Sequence, residues 1–180
     1  MHTRSFLELV LGGLCAAGVL MMLAGPAVAE PMPAAAAAGG PHAFDQIKAL
    51  SGNWQAKTAD GKVAHVSYEL DAGGTAVVER LHPDGEPSMM TVYYPDGDRL
   101  MLTHYCLLGN HPRMRSEQAA AAGNQVAFAY VDGTNMKGAG DAHMHRVKLT
   151  FADKDHFSQE WTLMKDGKET AMTFNFERSK

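Results

Sequence analysis

The sequence predicts an all-β fold, a single up-and-down antiparallel β-barrel of about ten strands with a short N-terminal helix. Three observations carry that prediction. Asp-Gly pairs recur at 60–61, 84–85, 96–97, 132–133 and 166–167, and Gly73-Gly74 and Gly123-Asn124 serve the same purpose. Such pairs tolerate the positive φ angles of tight hairpins. Between them lie short runs rich in Val, Tyr, Phe, Thr and Met that alternate with period two. The connections are short, so consecutive strands become antiparallel neighbours, and a long meander without covering helices most simply closes to remove its edges.

Taken in order, residues 1–29 read as a secretory signal. Arg4 precedes the apolar run "FLELVLGGLCAAGVLMMLAG", interrupted by Glu8, and "AVA" before Glu30 fits a small-x-small cleavage pattern. Retention as a membrane anchor is the competing reading, while Leu14 before Cys15 is too bulky for a lipoprotein site. The expected location is periplasmic or secreted, with no membrane span once the signal is removed. Cleavage takes Cys15 away and leaves Cys106 alone, so no internal disulfide forms and the hydrophobic core supplies stability. "PMPAAAAAGGP" (Pro31 to Pro41) is a low-complexity tether, making 30–41 a flexible linker and 42–180 the barrel domain. "HAFDQIKAL" (His42 to Leu50) is the helical candidate. Strands are expected at 53–58, 62–70, 75–81, 88–95, 98–106, 112–118, 125–131, 143–151, 156–164 and 169–177. The net charge of −4 and the lack of a Lys/Arg run exclude a nucleic-acid partner.

Alternation assigns an inner face to each strand. In 143–151 it is His143, His145, Val147, Leu149 and Phe151; in 98–106 it is Leu100, Leu102, His104 and Cys106. Phe157, Gln159, Trp161 and Leu163 line the ninth strand, Met172, Phe174 and Phe176 the tenth, and Val126, Phe128 and Tyr130 the seventh. In a meander the end of strand five and the start of strand eight share a rim. His104, Cys106, His143 and His145 therefore meet at one mouth, joined by His82, His111 and Arg113, under a glycine-rich connection (Asp132 to Ala142) able to act as a mobile lid. His65 faces outward and His156 lies at the opposite end.

Three functional readings follow. The favoured one is a carrier for a small apolar or amphipathic molecule, needing no cofactor. His104, Cys106, Arg113, Tyr130, His143, His145, Gln159 and Trp161 would be its ligand-binding residues, over walls of Leu102, Val147, Leu149, Phe151 and Phe174. The second is a metal site of His104, Cys106, His143 and His145, a donor set that suits zinc or copper. In the third, the histidines are satisfied inside a packed barrel that acts through protein contacts. Catalysis has less support: His104 and Cys106 lie two apart on one strand, so their side chains run parallel, and no serine elbow or phosphate loop appears. Oligomeric state is left open.

"LSGNW" (Leu50 to Trp54) resembles the Gly-x-Trp opening of the lipocalins and wider calycin barrels, through Gly52 and Trp54. That resemblance implies a structural role in which the tryptophan closes the barrel base against an arginine, here Arg178. Ten strands and no disulfide look more like fatty-acid-binding proteins or nitrobindin-type barrels. The latter resemblance implies a haem held by one histidine, His143 or His145. The "THYC…GNHPRM" and "HMH" segments are similar to those of uncharacterised exported bacterial lipocalin-like proteins, which implies a fold rather than an activity.

Overall fold

The computed structural model describes residues 40–58, 61–117, 123–138 and 140–180. The segment expected to be a signal, most of the expected linker and Cys15 lie outside the described residues. The helix α1 (Gly40–Lys48) is followed by ten strands: β1 (Gly52–Lys57), β2 (Val63–Asp71), β3 (Ala76–Pro83), β4 (Met89–Asp96), β5 (Arg99–Tyr105), β6 (His111–Ser116), β7 (Gln125–Thr134), β8 (His143–Phe151), β9 (His156–Lys165) and β10 (Lys168–Arg178). All neighbours are antiparallel, and β1 pairs with β10 to close the barrel. Among the described residues no helix is long and apolar enough to cross a membrane.

The turns form where the sequence places them. Asp166 and Gly167 both have positive φ (50° and 74°), the pair of left-handed residues that the β9–β10 hairpin requires. Asp132-Gly133 is the exception. It lies inside β7, which continues to Thr134, so the connection to β8 is shorter than expected. The glycine serves close approach instead, since a Cβ there would sit 3.3 Å from the Pro112 Cα.

Closure at the base follows from the Gly-Asn-Trp opening. Trp54 is buried, its indole N–H donates to the Leu50 carbonyl at 2.7 Å, and the Arg178 guanidinium lies 4.0 Å over its ring. Arg178 also donates to the carbonyls of Ser51 (2.9 Å), Lys154 (3.1 Å) and Ala49 (3.3 Å). Gly52 sits at φ 120°, and a Cβ on it would come within 3.0 Å of the Arg178 guanidinium. The buried face of α1 (Ala43, Phe44, Ile47) joins the core, and the helix contacts β2, β4 and β5.

Candidate functional site at the barrel mouth

The interior is mostly filled by its own side chains. Leu100, Leu102, Phe128, Val147, Leu149, Trp161 and Phe176 form one cluster with Trp54 and Tyr93, and Phe151 and Phe174 pack against it. These include the residues expected to wall a lumen. Close packing of this kind leaves room only for voids of a few water volumes.

Within that core sits a polar network. Glu79, 1% exposed, accepts through Oε2 from the hydroxyls of Tyr68 (2.8 Å) and Tyr93 (2.7 Å) and from Gln159 Nε2 (2.7 Å). Gln159 also donates to the Tyr68 oxygen (2.7 Å) and accepts from the Trp161 indole N–H (3.2 Å). Three donors on one oxygen suit a carboxylate, although burial pulls its pKa upward against their effect. Burial and the Glu79 charge raise both tyrosines well above their usual range. Gln159, expected to touch a ligand, is thus occupied in this network. Glu79 was missed in the sequence because an inward Glu in "AVVERLHP" is indistinguishable from a solvated one until the register is known.

The network continues toward the mouth. Thr91 pairs with Glu79 across β3 and β4, Glu79 Oε1 has no partner, and the Thr91 hydroxyl lies 2.9 Å from His104 Nδ1. When Nδ1 carries the ring proton and donates to the Thr91 oxygen, Nε2 is left with a lone pair. His104 is 2% exposed, and Nε2 has no partner. Burial, with a smaller contribution from His111, lowers its pKa to about 4, so the ring is neutral near pH 7. Its ring centroid lies 4.7 Å from that of Trp161.

His104 and Trp161 line a cavity of about 30 Å³ with Leu81, Met89, Met144, Met172 and Phe174. Met172, 38% exposed, marks the outer edge of this end of the barrel. Larger depressions of about 500 and 600 Å³ lie beside β1. The smaller of these borders the splayed β1–β10 seam, where only Trp54↔Arg178 and Gln55↔Glu177 pair. The other runs along β1, β2 and β3 and includes His65 and His82. Neither is lined by a buried polar atom without a partner.

The remaining expected site residues fall elsewhere. A bulge between Met144 and Arg146 makes His145 the extra residue of β8. Met144 pairs with Leu163, two residues from the inward Trp161, so it takes the inner position that alternation gave to the histidines. His143 and His145 gather instead beside Tyr130: His143 Nε2 lies 3.2 Å from His145 Nδ1, and their rings stand 4.5 and 5.5 Å from the Tyr130 ring. His143 Nδ1 is 2.8 Å from the Asp141 carbonyl. Burial, then the His143 charge, lowers the His145 pKa.

Arg113 is exposed and engages Asp132 through two bonds, Nε at 2.6 Å, so it belongs to the outer wall rather than the mouth. Cys106 is buried at the β5–β6 turn, its thiol pKa raised chiefly by burial, and it does not line the cavity. The expected set of His104, Cys106, His143 and His145 is therefore not assembled. Among the described residues no three His, Cys, Asp or Glu side chains are grouped to hold a metal.

The connection after β7 is tied down. Asp141 accepts from the backbone N–H groups of Lys137 and Gly138, and Asn110 donates to the Ala142 carbonyl at 2.8 Å. The expected mobile lid is thus latched to the β5–β6 turn. Haem does not fit these residues. Pockets for molecules of that class run to about 300 Å³ or more, His143 and His145 are committed to each other, and the cavity beside His104 is about 30 Å³. Compared with protein-family models and with curated proteins, the sequence matches none.

Proposed function

We propose that this chain is an exported small-ligand-binding β-barrel whose site is the apolar cavity beside His104. The observation that carries the reading is His104 Nε2, a buried nitrogen with no partner, on a ring lining a cavity. An unpaired buried polar atom costs about 1–3 kcal/mol, a cost that a ligand able to bond it would recover. The volume sets the class of cargo. A cavity of about 30 Å³ suits one ion or a ligand of very few atoms, so fatty-acid-sized molecules are not the cargo.

The test is native mass spectrometry of the mature protein recovered from an exporting host. An added mass, lost on denaturation and absent from His104→Leu, supports the reading. An added mass that persists in His104→Leu contradicts it, as does a bare chain mass that no panel of small ions and molecules changes. The same spectra test export, which predicts a chain beginning at Glu30.

A further inference from the structure

We propose that the mouth cavity is a site for a monovalent copper ion, held by the thioethers of Met89, Met144 and Met172 and by His104 Nε2 against the Trp161 indole. The inference rests on the small-ligand reading above and names the occupant.

The register brings three methionines together. Met89 lies opposite the inward Leu81, Met172 opposite the inward Trp161, and Met144 opposite Leu163. Three strands distant in sequence thus each present a methionine to the space that His104 enters from a fourth. Met144 reaches that position only because the bulge shifts β8 by one residue, and such bulges commonly re-aim side chains near functional sites.

The donors are then chemically selective. Thioethers are soft ligands that favour monovalent copper, whereas zinc is held by thiolates, imidazoles and carboxylates. Besides the single imidazole, this cavity's lining offers no such group. All four donors are neutral, so a singly charged soft ion loses less on leaving water than a divalent one. The Trp161 face adds a site of attraction for a cation.

The surroundings supply what metal-bound histidines usually have. His104 Nδ1 lies 2.9 Å from the Thr91 hydroxyl, and with Nδ1–H donating there the ring is held and its Nε2 lone pair is free for the ion. Methionine's three rotatable bonds let the sulfurs close on an ion without moving the strands. The exposure of Met172 provides an entry route.

The test is anaerobic competition of the full mature chain with a chromogenic copper(I) chelator, followed by X-ray absorption at the copper edge. The wild type is expected to take one equivalent of copper(I), quench Trp161 fluorescence and show mixed sulfur and nitrogen scattering, while taking up no zinc(II). Met144→Leu and Met172→Leu preserve volume, and each should weaken copper(I) binding at least about tenfold without unfolding the barrel. Cys106→Ser should leave binding unchanged. Failure of the wild type to compete overturns the inference, as does affinity that survives the double methionine variant but disappears in Cys106→Ser. If copper(I) fails while native spectra still show a His104-dependent mass, the small-ligand reading stands and only the copper assignment falls.

Discussion

His104 is the residue on which the site turns. Its buried Nε2 is unpartnered, while Nδ1 is anchored to Thr91. The folded state keeps it neutral down to about pH 4, whereas an unfolded histidine takes up its proton near 6.5. The unfolded chain therefore binds the extra proton between those values, and stability falls as pH drops through that window, by up to about 3 kcal/mol. Glu79, with its pKa raised by burial, works in the opposite direction above its usual range. Urea denaturation of metal-free wild type and His104→Leu from pH 7 to 4 should isolate the histidine contribution: the wild type loses more stability on acidification than the variant. Parallel curves would show that His104 is not held neutral. Arg113 is a contrasting case. Its ion pair with Asp132 is exposed on both sides, so Arg113→Ala should change stability by less than about 1 kcal/mol and leave ligand uptake unaltered.

Among the elements, the closure of β1 on β10 makes the sharpest stability prediction. Arg178 stacks on Trp54 and satisfies three carbonyls from Ala49, Ser51 and Lys154. Arg178→Ala should cost about 2–4 kcal/mol in urea denaturation, and Arg178→Lys should not restore it, because an ammonium lacks the planar fork. A loss below about 0.5 kcal/mol would remove Arg178 from any role in closing the base. Strand β8 shows where alternation stops being readable. "DAHMHRVKLTF" alternates cleanly from Val147 onward, and there the expected inner face is correct. Before Arg146 one extra residue shifts the phase, and no residue type in His143-Met144-His145 announces it. Placing the two histidines on one alternating face thus failed for His145, for a reason that pairing alone supplies, while His143 is buried beside Tyr130. The Asp-Gly at 132–133 failed similarly: the dipeptide permits a turn without requiring one, and the close approach of Pro112 uses the glycine differently.

Across the whole molecule, ten strands and their order were legible because turn chemistry and period-two alternation are local properties of the chain, whereas the Trp54–Arg178 contact was expected only from the resemblance of the Gly-x-Trp opening. Interior volume was not legible, since it depends on how inward side chains from opposite walls interdigitate. Tyr68, Tyr93 and Gln159 converge on Glu79 from three strands, with Trp161 bonded to Gln159, and together they replace the expected lumen with a packed, hydrogen-bonded centre. Tyr68→Phe and Tyr93→Phe should each cost about 1.5–3 kcal/mol, because each removes a donor to a buried carboxylate. If thermal melts show either variant as stable as wild type, Glu79 is not charged in the folded barrel.

His104 Nε2 is an unpartnered nitrogen on a ring lining the mouth cavity, and histidine-selective ¹⁵N NMR reads that atom directly. In the ligand-free protein at neutral pH, His104 should appear as the neutral tautomer protonated at Nδ1. Its Nε2 resonance should move when the ligand recovered with the protein is returned, while His143 and His145 change less. A His104 protonated at Nε2, or an Nε2 signal unmoved by that ligand, would contradict the account.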